Sequence, residues 1–190
     1  MKKMNNKGFT LIELLAVITI MGILMLVAIP AISRTIENSR RDTFANTAEE
    51  YIRGVSNAVS SDELKCNVSG SATIDTMIAA VPAGTYYVNI DTKSGETYAQ
   101  QTQDLMEQGG KSSWSNADVK GYVEITKATA GNRTTYTYKI LLVDSGNHGI
   151  GALAAKPVKR TNVTAVATTT YANVTHKTAT TSVMECKLDV

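Results

Sequence analysis

The sequence predicts an α+β protein in which one unusually long N-terminal helix, transmembrane and then amphipathic, leads into a head dominated by an antiparallel β-sheet. Three observations lead there. Residues 14–33 run for 20 positions without a charge. Beyond that run, Phe44, Ala48, Tyr51/Ile52, Val55 and Val59 recur at the three-and-four spacing of a single helix face. After about Ser61 the pattern changes to short alternating runs broken by turn residues. A length of 190 residues suits one domain plus an appendage.

The apolar run comes first in the chain. It is interrupted only by Thr19, Gly22 and Pro30. As a helix it spans about 30 Å, the hydrocarbon thickness of a bilayer. No second such stretch follows. Lys2, Lys3 and Lys7 precede it, which predicts a cytoplasmic N-terminus and an external remainder. Those lysines also explain the formal charge of +2, since the chain without them stands at −1. A body so nearly neutral does not carry the clustered basic face that nucleic acid demands.

The helical signal continues from about Phe9 to Ser60, roughly 78 Å at 1.5 Å per residue. Glu37 with Arg41 and Glu49 with Arg53 are acid-before-base pairs on its polar face. So long a helix needs burial from outside the subunit. In the head, residues 86–90 read as a strand, 91–95 as a turn, and 97–108 as a helix with Tyr98, Gln101 and Leu105 on one side and Gly109-Gly110 as its stop. Residues 121–127 and 134–143 are the strongest strands, joined through Ala130-Gly131-Asn132. Residues 144–147 form another turn. The twelve threonines from Asn132 onward suit exposed strands. Cys66 and Cys186 both fall in the external part, where thiols oxidise, so a disulfide is expected.

The decisive stretch is Lys7-Gly8-Phe9-Thr10-Leu11-Ile12-Glu13-Leu14-Leu15. A carboxylate inside a membrane helix costs about 2.5–3.5 kcal/mol at mid-bilayer and less near the edge. A partner exists if the chain is cut between Gly8 and Phe9. Phe9 then gains an α-amine with pKa about 8, four residues before Glu13. In a dry bundle of such helices an amine of one subunit and a carboxylate of another neutralise each other, and the gain is registry.

Gly-Phe-Thr-Leu-Ile-Glu followed by an apolar run resembles the N-terminal signature of type IV pilins (prepilins) and pseudopilins. The likeness is close over about residues 1–40. It implies a type IV pilin-like fold, cleavage after Gly8 by a prepilin peptidase, and N-methylation of Phe9. It implies an assembly role for Glu13, and local melting of the helix around Gly22 and Pro30 in the filament. Physical chemistry agrees, because Pro30 removes a donor and Gly22 weakens a helix by about 1 kcal/mol. Residues 110–114 and 121–125 resemble segments of pilin-like proteins from Gram-positive bacteria.

Other readings carry less. A secretory signal peptide would leave Glu13 inside its apolar region and the amphipathic continuation unexplained. His148 and His176 lack cysteine or carboxylate partners at ligand spacing, so neither metal nor cofactor is expected. Asp144, Ser145 and His148 contain triad residue types but share one tight turn. Gly146-Asn147-His148-Gly149-Ile150-Gly151 lacks the setting of a dinucleotide loop. Asp91 and Asp144 match no calcium-loop spacing and read as turn residues.

The expected organisation is therefore a cleaved leader at 1–8, a transmembrane and assembly helix at 9–33, an amphipathic continuation at 34–61 and an α+β head at 62–190. The expected function is a non-catalytic subunit of a homo-oligomeric type IV pilus serving adhesion, surface motility or aggregation. Its expected partners are the prepilin peptidase, the assembly machinery and membrane lipid. The alternatives are a pseudopilin of a secretion or DNA-uptake system, or a minor or tip adhesive pilin.

Overall fold

The computed structural model describes residues 9–106 and 110–189. The expected leader with Gly8, and Gly109 of the expected helix stop, lie outside the described residues. Helix α1 covers Leu11–Ser60 without a break. The chain divides into two compact units, one ending at Ser39 and one running from Arg40.

In the first unit, every described residue from Phe9 to Ile36 is exposed. Here α1 is long and apolar enough to cross a membrane. The helix runs through both Gly22 and Pro30. The Gly22 position is open space, and the hydroxyls of Thr19, Ser33 and Thr35 return to carbonyls three or four residues earlier.

The second unit is the head. Its sheet comprises β1 (Leu64–Cys66), β2 (Thr76–Met77), β3 (Gly84–Asp91), β4 (Val119–Ala130), β5 (Arg133–Asp144), β6 (Gly149–Ala155) and β7 (Glu185–Leu188). The strand order is β2-β1-β7-β3-β4-β5-β6. All pairings are antiparallel except β3 with β7. The architecture is α+β and pilin-like, as the patterning predicts.

The amphipathic face of α1 forms the core against this sheet. Phe44, Ala48, Tyr51, Ile52, Val55 and Val59 are all buried, with Val88, Ile90, Val123, Ile125, Ile140 and Leu142 in the same cluster. Burying one such aliphatic or aromatic side chain contributes about 1.5–3 kcal/mol. Thus the head itself buries the second half of the helix, a correction to the expectation that all of it needs an outside partner. Gly121 is required here, because a Cβ at that position would strike the Leu141 carbonyl on the neighbouring strand.

The predicted strands appear, each longer than expected. The β4–β5 hairpin turns through Gly131, whose φ of 59° suits glycine. Helix α2 is shorter than predicted, Ala99–Leu105, and ends with Met106 already extended. Gly54 of α1 leaves room for the Leu105 carbonyl. The threonine-rich stretch is the clearest correction. Between β6 and β7 the chain forms no strand of its own, only two single turns of 3-10 helix at Arg160–Asn162 and Tyr171–Asn173.

That segment is a strap held by side chains. Asn147 Oδ1 accepts the Tyr171 N–H at 2.8 Å, and Asn89 Oδ1 accepts the Lys177 N–H at 2.8 Å. Asn67 Nδ2 donates to the carbonyls of Thr180 and Val183. Glu185, almost fully buried, accepts the Ala179 N–H and the Asn89 amide. Threonine favours extended backbone, but a strand also needs a ladder partner. Here the asparagine side chains take that place.

Candidate functional site

Helix α1 starts with a capping box. Thr10 sits at the N-cap, and its Oγ1 accepts the Glu13 N–H at 3.3 Å. The Glu13 Oε2 accepts both the Thr10 N–H at 2.8 Å and the Thr10 hydroxyl at 2.7 Å. A carboxylate three residues past a threonine N-cap satisfies donors that a helix start leaves orphaned, and it sits favourably at the positive end of the helix dipole. Phe9 and Leu14 occupy the two positions flanking such a box, and both are exposed.

Sequence reasoning noticed Glu13 as an isolated charge and missed its local partner, although the Thr-x-x-Glu spacing announces it. The structure therefore gives this carboxylate two hydrogen bonds inside its own chain. Phe9 is exposed and lies two residues before Leu11, where α1 begins. The expected sites at Gly22 and Pro30 are within continuous helix.

In the head, Cys66 and Cys186 form a disulfide. They face each other directly in the antiparallel β1–β7 register, and both are fully buried. The bridge encloses 120 residues and ties the C-terminal strand to the segment that follows α1.

The residues with enzyme-like identities make fasteners. Asp144 is fully buried, and its Oδ1 accepts the N–H groups of Gly146 and His148 at 2.8 Å each, an Asx turn between β5 and β6. Its Oδ2 accepts the Ser112 hydroxyl, and His148 Nδ1 lies 3.1 Å from Oδ1. Ser112 and His148 thus both address the Asp144 carboxylate, and the backbone N–H of Ser145 in the same turn donates to the Asp118 carbonyl. The His148 ring stacks on Trp114 at 4.8 Å, and the Arg40 guanidinium lies 6.0 Å from the same indole.

The glycine-rich run 146–151 is explained by close approach. A Cβ at Gly149 would meet the Phe44 ring, and one at Gly151 would meet the strap backbone. Asp91 accepts the Lys93 N–H in its turn and faces His176 Nε2 at 3.3 Å. Among the described residues no three metal-ligating side chains of histidine, cysteine, aspartate or glutamate come together.

Lys127 is the one buried cation of the sheet that sequence reasoning passed over. Its ammonium donates to the carbonyls of Ile78, Ala79 and Val81 at 2.7–3.0 Å, and burial pushes its pKa down. Asp42 forms a fork with Arg160, which holds the carboxyl below its usual range.

Set beside known proteins, residues 3–29 match the family model of the prokaryotic N-terminal methylation motif. The chain carries the type IV prepilin signature. No curated protein and no solved structure matches it. The match begins at Lys3, takes in the capping box and runs along the exposed apolar helix as far as Ile29. The head stands on its own structure.

Proposed function

We propose that this prepilin-like chain is a structural subunit of a type IV pilus, cut after Gly8, methylated on Phe9 and polymerised through its N-terminal helix. The observation that carries the reading is the conjunction of the methylation motif at 3–29 with a helix whose residues 9–36 are all exposed. So much apolar surface is tolerable only in lipid or in a bundle of copies. Before assembly the subunit sits in the membrane with its N-terminus in the cytoplasm, and afterwards it lies in an extracellular fibre. The filament serves adhesion, motility or aggregation.

In the filament, the amine of Phe9 from one subunit meets Glu13 of another, and the helix loosens around Gly22 and Pro30. Two measurements test this. Mass spectrometry of the N-terminal peptide should find a methylated Phe9, and a mature chain beginning at Met1 or after Ser33 overturns the processing. Labelled surface filaments should extend well beyond the cell. Correct processing without such fibres selects the pseudopilin.

A further inference from the structure

Strands β3 and β7 run parallel, with Tyr87 opposite Glu185 and Val88 opposite Cys186. One step further along both strands stand Asn89 and Lys187. Gln101 holds the strands together at that step. Its Nε2 donates to the Asn89 carbonyl at 3.0 Å, and its Oε1 accepts the Leu188 N–H at 3.3 Å. Val88 and Cys186 belong to the core. Alternation therefore turns Asn89, Glu185 and Lys187 together to the opposite face of the sheet, where the strap crosses.

The three side chains meet at one oxygen. Glu185 Oε1 accepts from Asn89 Nδ2 at 3.1 Å and lies 3.8 Å from Lys187 Nζ. Its other oxygen accepts the Ala179 N–H at 2.7 Å, which fixes the carboxylate in place. Asn89 is fully buried and Glu185 almost fully, so water is kept from the amide. Asn89 Oδ1 accepts the Lys177 N–H at 2.8 Å. A carboxamide whose oxygen faces a fixed backbone donor, with a carboxylate between its nitrogen and an amine, has the parts of an acyl transfer. They are an electrophile, a nucleophile, a proton carrier and a donor for the developing oxyanion.

We propose that Lys187 and Asn89 condense into an intramolecular amide that joins β7 to β3. Glu185 takes a proton from the Lys187 ammonium, and the neutral amine attacks Asn89 Cγ. Negative charge gathers on Oδ1, facing the Lys177 N–H. Glu185 passes its proton to Nδ2, and the Cγ–Nδ2 bond breaks. Glu185 then carries the second proton from Nζ to the departing ammonia. The products are one Nζ–Cγ amide and ammonium. Nothing is oxidised or reduced, and Glu185 ends as the carboxylate it began as.

The disulfide ties β7 to β1 on its other side. With the amide, the four-residue strand is bonded to both of its neighbours. Residues 66–89 lie outside the loop that the amide closes, so the disulfide still constrains them.

The test uses the full chain, extracted from membranes or filaments, then reduced, alkylated and digested for mass spectrometry. The expected product is a branched peptide joining the Asn89 and Lys187 segments, lighter than the sum of its parts by one ammonia. Lys187→Arg keeps the charge beside Glu185 and should yield the two peptides apart. Glu185→Gln should do the same in a folded head, and a branched peptide that persists there removes Glu185 from the reaction. Wild type and Lys187→Arg decide the bond even if Glu185→Gln does not fold. A folded, disulfide-linked wild-type chain whose Asn89 amide is intact and whose Lys187 acetylates freely overturns the proposal and leaves an ion pair.

Discussion

Replacing both Cys66 and Cys186 with alanine should cost the head much of its stability. The bridge encloses 120 residues. In the chain-entropy treatment, a loop of that length restricts the unfolded state by about 5 kcal/mol. Both cysteines are fully buried, so removing their sulfur atoms adds a packing loss of about 1 kcal/mol each. Domains of this size are stable by about 5–15 kcal/mol, which makes the loss a third of the total or more. At about 2–4 °C per kcal/mol, the combined loss should lower the Tm by roughly 14–28 °C. The fall should be large because the strands joined are short, three residues in β1 and four in β7. The assay is thermal unfolding followed by circular dichroism and by the fluorescence of the single tryptophan, Trp114. Wild-type protein with reductant should approach the variant. A Tm within about 3 °C of wild type, with linkage verified in the parent by peptide mapping, would refute the reasoning.

Three further outcomes are expected. Asn67→Ala should destabilise the head by about 2–4 kcal/mol, since the buried amide serves three carbonyls and accepts the Glu185 N–H, all of which lose that partner; chemical denaturation measures this, and a midpoint shift near zero contradicts it. Burial pushes up all eight tyrosines, Tyr171 to about 12. Above pH 10 the unfolded chain therefore loses phenolic protons that the fold retains, and stability should decline as pH rises through that range; a flat Tm between pH 9 and 11.5 contradicts this. Glu13→Val should leave insertion, processing and head folding intact while sharply reducing filaments, because a Phe9 amine buried without its partner costs about 3–5 kcal/mol per subunit; filaments are counted by electron microscopy, and wild-type yield removes the pair as an organising contact.

What the sequence disclosed follows from how local each signal is. The helix face from Phe44 to Val59 was legible because 3.6-residue periodicity reports burial directly, and those residues are the core. The β4 and β5 strands were legible because alternation and a Gly-Asn turn coincide there. The disulfide followed from compartment and count. The strap was misread, because threonine composition speaks of backbone preference and is silent about ladder partners. Those partners are asparagine side chains at Asn67, Asn89 and Asn147, distant in sequence. Strands β1, β2 and β6 were too short or too alanine- and glycine-rich to stand out. The partner of Glu13 was within reach, three residues upstream.

The capping box bears on how a membrane-held subunit gains specificity when it assembles. Seventeen large apolar side chains between Phe9 and Ile36 are exposed. In water, hiding them would be worth roughly 25 kcal/mol or more. A prepilin does not start from water. Lipid tails are as apolar as the neighbouring helices of a filament, so that term nearly cancels between the two states. What differs is polar. In the single chain, the Glu13 carboxylate is held by Thr10. In a filament it can also meet a neighbour's amine. The two functions separate by substitution. Glutamine at position 13 preserves the capping box, which accepts Glu or Gln, but removes the charge. Alanine at position 10 removes the hydroxyl and keeps the carboxylate. If registry comes from charge, Glu13→Gln should lose filaments and Thr10→Ala should retain them. Equal losses, measured on chains with complete leader removal, would instead place the organising contact in the helix start itself.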